Sequence, residues 1–217
     1  MADTTTTTNP ARLTADEIDD ILYLTRTNDT AELLGYLSQL SQQHGAAGPH
    51  AVLEACVDED SQNTAVHYAA ANGSTDLLRA LLTLFPSPAA DAVKKTLLNR
   101  HNGAGNTPLH WAALNGHSST VQLLTESGAD VWVKNAAGNL PVFEAERAGK
   151  DEVVAVLLLA GGKEVEEQLK RKEGDVTKDD EVDVDSANQA SSSGSSAAAA
   201  GGADEAAEKM QKTSLDG

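Results

Sequence analysis

Between residues 14 and 163 the chain alternates short stretches of helical hydrophobic periodicity with turns that are marked by glycine. The clearest pair is the stretch 107–116 and the stretch 118–127, in which apolar residues such as Val121 and Leu124 lie three or four positions apart. Gly116 stands between them, where a residue in the left-handed conformation can end a helix. This pattern predicts an all-α fold built from pairs of short helices.

The helix pair is repeated along the chain. Residues 102–134 and 135–163 are two copies of one pattern, because matching residues recur 33 positions apart: Asn102 and Asn135, Gly105 and Gly138, Pro108 and Pro141, Ala112 and Ala145, and Gly116 and Gly149. This period, together with the run Thr107-Pro108-Leu109-His110-Trp111-Ala112, is the signature of the ankyrin repeat. The sequence therefore predicts an ankyrin-repeat solenoid, a stack of helix pairs joined by hairpin loops.

An earlier and longer copy occupies about residues 58–101. Its turn residue, Gly73, lies 43 positions before Gly116, ten more than the period, and we assign the surplus to the connection 86–101. Upstream, residues 14–41 have the pattern of a degenerate helix pair, which we interpret as an N-terminal cap. Counting the cap, we expect about four helix pairs.

The composition changes at both ends of the repeats. Residues 1–13 are rich in threonine, and residues 173–217 carry acidic and Ser/Ala runs without apolar periodicity. Such segments cannot bury enough apolar surface to fold, so both are predicted to be disordered. The predicted ankyrin-repeat domain is therefore 14–172.

The last repeat is unusual, because a stack should end in a polar outer surface. Here Leu158 and Leu159 stand where the preceding repeat has polar residues. We therefore expect residues 164–172 to fold back as a covering helix, with Val165 and Leu169 on its inner side.

Acidity extends over the whole chain, whose formal net charge is −17. Residues 1–164 carry 20 acidic and 10 basic side chains, and residues 165–217 carry 13 and 6. Such a surface repels nucleic acid and favours a basic protein partner, although acidity also serves solubility alone. With a single cysteine, Cys56, no signal-peptide pattern and no apolar run of about 20 residues, the sequence predicts a soluble protein of a reducing compartment.

Catalytic chemistry finds no support in the residue pattern. His67 and His110 lie in the repeat motif without a nucleophile or metal-ligand spacing around them, and we expect them to hydrogen-bond the turn framework. The glycine-rich stretch 103–106 has no preceding strand and no following Lys-Ser/Thr, so it is not a phosphate loop. We predict no catalytic, cofactor-binding or metal-binding residues.

Ankyrin repeats usually bind partners on a concave face formed by the hairpin tips and the first helix of each pair. By motif position this face includes residues from three repeats: Asp60, Asn63, Tyr68 and Asn72; Asn106, Trp111, Leu114 and Asn115; and Asn139, Glu144 and Arg147. Trp111 and Trp132 are the favoured contacts, since tryptophan is enriched at binding hot spots, although either ring could instead serve packing.

Glu146 replaces an alanine that the two preceding repeats use for close helix packing, Ala70 and Ala113. A carboxylate at such a position is expected at a functional site or at the end of a stack. With Glu144 it would present two acids to basic side chains of a partner. This pair predicts that the C-terminal half of the concave face holds the partner.

The run Phe143-Glu144-Ala145-Glu146-Arg147-Ala148-Gly149-Lys150-Asp151-Glu152-Val153, the long first repeat and the acidic tail resemble the fungal ankyrin-repeat chaperone of ribosomal protein S-three. Ribosomal protein S-three is the KH-domain protein of the small ribosomal subunit. The resemblance implies a dedicated chaperone that binds the N-terminal helical region of the new ribosomal protein. Nothing in the sequence suggests self-assembly, so we expect a monomer on its own. The resemblance also implies that the chaperone keeps its client soluble and accompanies it from cytoplasm to nucleus. The alternative is a generic scaffold or regulatory adaptor for another basic protein.

Overall fold

The computed structural model describes residues 12–85 and 88–174, with side-chain surroundings for 12–85 and 91–163. Most of the predicted N-terminal disordered segment (1–13) and nearly all of the predicted acidic tail (173–217) therefore lie outside the described residues. None of the helices in the described part is long and apolar enough to cross a membrane.

Ten α-helices make up the described chain, in the order α1 Ala15–Thr27, α2 Thr30–Gln43, α3 Pro49–Ala55, α4 Ala65–Asn72, α5 Thr75–Leu82, α6 Pro88–Leu98, α7 Pro108–Asn115, α8 Ser118–Glu126, α9 Pro141–Arg147 and α10 Asp151–Gly174. Helices α1, α4, α7 and α9 pack on one another as an inner row. Helices α2, α5, α8 and α10 form the outer row behind them. The predicted all-α stack of four helix pairs is confirmed.

Helices α3 and α6 are additions that the sequence pattern did not predict. Each follows an outer helix, so each lengthens one connection within the stack. The added helices lengthen the interval between the left-handed residues that end successive inner helices. Gly73 follows Asn28 by 45 positions and precedes Gly116 by 43. Only the last interval, from Gly116 to Gly149, has the regular 33 residues.

Small side chains bring the inner helices together. Their contact positions are alanines with no exposed surface, among them Ala69, Ala70, Ala112, Ala113 and Ala145. Leucines fill the larger space between the inner and outer rows, for example Leu37, Leu78 and Leu124. The core is thus thin and continuous, as a stack of repeats requires.

The prediction of a covering helix is wrong. Residues 164–172 are helical, but they continue α10 without a turn, so they do not fold back. Gly161 is buried within this helix, and a Cβ there would lie 3.0 Å from Cζ2 of Trp132. This glycine therefore makes room for the indole ring and does not end the helix. Leu158 and Leu159 stay 63% and 64% exposed, and the side chains of Val165 and Leu169 lie outside the described part.

Candidate protein-binding surface

A ladder of hydrogen bonds ties the hairpin loops to one another. The amide Nδ2 of Asn102 donates to Oδ1 of Asn63 at 2.9 Å, and Nδ2 of Asn135 donates to Oδ1 of Asn106 at 2.9 Å. These side chains hold the loops in register, and both Asn63 and Asn102 are buried. The prediction that Asn63 contacts a partner is therefore corrected, because its side chain is used inside the framework.

The two motif histidines belong to the same framework, as predicted. His67 and His110 each bond the threonine three residues earlier through Nδ1, while Nε2 reaches the backbone carbonyl of Asn106 or Asn139 in the next hairpin, both at 3.1 Å. Burial lowers the pKa of His67 to about 4 and also lowers the pKa of His110. Both rings are therefore neutral parts of the scaffold.

This burial makes stability depend on pH. His67 has a folded pKa of about 4, below the ordinary value of 6.5, so the unfolded chain takes up a proton first as the pH falls. Its contribution is complete above about pH 6.5 and is lost as the pH falls towards 4. We expect the free energy of unfolding to drop by about 2 kcal/mol from this residue between pH 7 and pH 5. Urea titrations at both values measure the drop, and a flat profile would contradict the buried neutral ring.

Glu144 ends the ladder, and its prediction as a partner-binding acid is corrected. Its Oε1 accepts from Nδ2 of Asn135 at 2.9 Å and from Nδ2 of Asn139 at 3.1 Å, and Arg147 pairs with its other oxygen. Burial opposes ionisation, but the hydrogen bonds from Asn139 and Asn135 and the charge of Arg147 outweigh it and hold the pKa of Glu144 below its ordinary value. Only 5% of the residue is exposed, so this carboxylate closes the framework and is not open to a partner.

Glu146, in contrast, is exposed, whereas its counterparts Ala70 and Ala113 are fully buried. No further repeat packs on α9 within the described chain, which explains why a carboxylate is tolerated there. It remains available to a partner, as does the exposed Asp60 at the tip of the first long hairpin. The accessible acids are therefore not confined to the C-terminal half of the stack.

Large side chains recur at one position of the inner helices, five residues before each left-handed turn residue. We call Tyr23, Tyr68 and Trp111 the aromatic row; in the last repeat Glu144 takes the same position. Tyr23 is 63% exposed and was not among the predicted contacts. Counting back five residues from Asn28 would have found it, but the sequence alone did not identify Asn28 as the turn residue.

Arg26 fixes the second member of the row. Its guanidinium carbon lies 4.2 Å from the ring centroid of Tyr68, and its Nη2 lies 3.9 Å from Oδ2 of Asp58. The Tyr68 hydroxyl donates to the same Asp58 oxygen at 2.7 Å. Hydrogen bonds, first from the backbone of Ser61, outweigh burial and lower the pKa of Asp58. The guanidinium of Arg26 therefore makes both an ion pair with Asp58 and a cation–π contact with Tyr68.

Trp111 is the most unusual member of the row. The residue is half-buried, yet its Nε1 is shielded from solvent and has no hydrogen-bond acceptor within the described chain. An unmet buried donor costs about 1–3 kcal/mol, which a leucine at this position would avoid. Leu114, one turn further along α7, is also half-buried and extends this apolar patch.

The remaining predicted contacts divide into two groups. Asn72 and Asn115 are exposed, and their amides donate to backbone carbonyls of the preceding repeat, those of Arg26 at 3.4 Å and Ala71 at 2.7 Å. Trp132 is 51% exposed, but its ring lies against Gly161 in the outer row. The structure therefore does not bring Trp132 together with the aromatic row.

The described part of the chain contains no group of three His, Cys, Asp or Glu side chains that could hold a metal ion. What the inner helices and hairpins offer is an exposed surface of aromatic, amide and acidic side chains on a rigid helical stack. The class of protein that this fold and surface define is a helical-repeat binding protein. The family model "Ankyrin repeats (3 copies)" matches residues 28–135 and 89–168, and the chain belongs to the ankyrin-repeat family.

Comparison with known proteins gives relatives with varied roles. The chain is 37% identical over 108 residues to Ankyrin repeat-containing protein YAR1 of Saccharomyces cerevisiae, covering 49% of this chain and 54% of the yeast protein. It is 36% identical over 129 residues to a Transient receptor potential cation channel subfamily A member 1 homolog of Caenorhabditis elegans, covering 58% of this chain and 9% of the channel. The chain thus spans about half or less of the length of these relatives.

A solved structure extends the likeness further. It is the crystal structure of the yeast ribosomal protein Rps3 in complex with its chaperone Yar1. The match has a TM-score of 0.58 and 31% sequence identity, and it covers 77% of this chain and 99% of the matched chain. The resemblance to the fungal ankyrin-repeat chaperone of ribosomal protein S-three is confirmed.

Proposed function

We propose that this chain is a dedicated chaperone of the ribosomal protein Rps3. The observation that carries the proposal is the match to a chain of the Rps3–Yar1 crystal structure over nearly the whole of that chain, at 31% identity. The likeness to the nematode channel, in contrast, covers only 9% of that protein and reflects shared repeats. Fold alone does not identify a partner, so the proposal depends on the extent of this match.

The chemistry of the surface supports a basic client. Exposed carboxylates such as Asp60 and Glu146 belong to the repeats before and after that of Trp111, and the chain as a whole is strongly acidic. Trp111 and Leu114 provide an apolar centre between these charges. A helix with apolar residues along one face and basic residues beside them would complement this surface. We propose the N-terminal helical region of Rps3 as that segment, as the family resemblance implies.

The chaperone activity would then consist of covering the client's basic surfaces. A basic ribosomal protein without RNA exposes surfaces that bind nucleic acid or aggregate, and an acidic binding protein covers such surfaces while leaving no chemical change. No catalytic step is part of this proposal. We further propose that the complex forms in the cytoplasm and accompanies Rps3 to the nucleus for assembly of the small ribosomal subunit.

Co-expression tests the proposal directly. We expect Rps3 from the same organism to be mostly insoluble alone, and to become soluble and co-purify when this chain is present. The matched control is a second basic ribosomal protein of similar size, which should remain insoluble. If Rps3 stayed insoluble, or if both proteins were rescued equally, the chain would instead be a generic scaffold or adaptor.

A further inference from the structure

A cleft lies between the first two helices, at the N-terminal edge of the aromatic row. Its volume is about 290 Å³, and its lining consists of two tyrosines, one leucine and two acids: Tyr23, Tyr36, Leu24, Asp20 and Glu32. Tyr23 belongs both to this cleft and to the aromatic row. The cleft is therefore continuous with the surface proposed to hold the client.

The charges of the cleft are not balanced by ion pairs within the described residues. The hydroxyl of Tyr36 donates to Oδ2 of Asp20 at 3.1 Å, which leaves the second carboxylate oxygen of Asp20 free to accept. Burial, together with the neighbouring Asp20, raises the pKa of Tyr36 to about 12, so this hydroxyl remains a donor. Within the described chain neither Asp20 nor Glu32 forms an ion pair, and both are exposed.

The next repeat shows what such a combination of groups binds. There a tyrosine and an aspartate, Tyr68 and Asp58, hold the guanidinium of Arg26 between them, 4.2 Å from the ring centroid and 3.9 Å from the carboxylate oxygen. Tyr23 occupies the same repeat position as Tyr68, with Asp20 one turn before it on α1. Tyrosine faces and carboxylates together favour a cationic side chain over a neutral one.

We infer that this cleft binds one arginine or lysine side chain of the client. The inference rests on the proposed function, because a basic partner must supply the cation. The side chain would lie with its alkyl part against Leu24 and Tyr23 and its charge between Asp20 and Glu32. The cleft therefore extends the binding surface beyond the concave face to the first helix pair.

Affinity measurements with purified Rps3 and the full chain test this inference. Tyr23→Ala is the main variant, because the ring is 63% exposed and its loss should leave the fold intact. We expect it to weaken binding about tenfold, and Glu32→Gln to weaken binding several-fold and to reduce its dependence on salt. The control is Asp19→Asn, which removes an exposed charge from α1, the helix that carries Tyr23, at a position outside the cleft, and it should change affinity less than twofold.

The outcomes separate the two proposals. If the wild-type chain binds Rps3 and Tyr23→Ala and Glu32→Gln bind as tightly as Asp19→Asn, the cleft has no role and the chaperone function stands. If Asp19→Asn weakens binding as much as Glu32→Gln, the effect is general electrostatics and the inference is overturned. If the wild-type chain does not bind Rps3, both proposals fail.

Discussion

Replacing Trp111 with leucine is expected to weaken the binding of Rps3 at least tenfold while leaving the stack folded. The indole is half-buried in the aromatic row, and its Nε1 has no acceptor in the described chain. Leucine keeps the apolar contact and removes the unmet donor, so the free energy of unfolding should stay within about 1 kcal/mol of wild type or rise. A binding loss without a stability loss assigns the ring to the interface, where tryptophan often contributes 2 kcal/mol or more.

The second tryptophan provides the matched control. Trp132→Leu removes the same kind of ring from a site beside Gly161 of the outer row. We expect it to change the affinity for Rps3 less than twofold. Calorimetric titration gives the affinities, and urea unfolding gives the stabilities. If Trp111→Leu bound normally and unfolded more easily, the ring would serve packing alone, the alternative that the sequence left open.

The regular part of the fold follows from the sequence because each repeat carries its own stop and start signals. Thr107 and Pro108 begin an inner helix and Gly116 ends it, and the structure has these residues in those roles. Helix α3 was not predicted because it carries fewer such signals. It has only seven residues, and although Pro49 is a start signal, Gly48 before it provides no side-chain cap, so its local signals are weak. Tertiary packing on α2 supplies what those signals lack.

The surface was harder to predict, because motif position does not show which polar groups the framework uses. Glu144 shares the repeat position of Trp111, and by position alone it should face a partner. Its carboxylate instead accepts from Asn135 and Asn139, since no further hairpin follows within residues 12–174 to complete the ladder. An acid at the end of a repeat array therefore has two possible roles that only the contacts distinguish.

Burial of Glu144 changes where the client is expected to lie. The sequence favoured the C-terminal half of the concave face, on the strength of two acids in the last inner helix. One of these is now part of the scaffold, whereas Asp20, Glu32 and Asp60 in the N-terminal half are exposed. The electrostatic attraction for a basic helix is therefore spread along the stack, with Trp111 near its centre.

The hairpin ladder itself can be tested by two glycines that occupy the same turn position in successive repeats. Gly105 and Gly138 both have positive φ, 73° and 80°, so an alanine at either one adopts a left-handed conformation at a cost of about 1–2 kcal/mol. Their surroundings differ. A Cβ at Gly105 would lie 2.4 Å from the backbone N of Ala136 in the next hairpin, whereas nothing lies within 4 Å of a Cβ at Gly138.

Gly105→Ala is therefore expected to destabilise the chain more than Gly138→Ala, by a further ~1–3 kcal/mol, because the obstacle is backbone and not a flexible side chain. Relief of the clash would separate the hairpins and break the hydrogen bond from Ala136 N to Ala104 O, now 3.2 Å. Urea unfolding of the two variants isolates this difference, since the conformational cost is common to both. Equal losses would mean that the second and third hairpins do not pack as described, and the ladder from Asn63 to Glu144 would not be continuous.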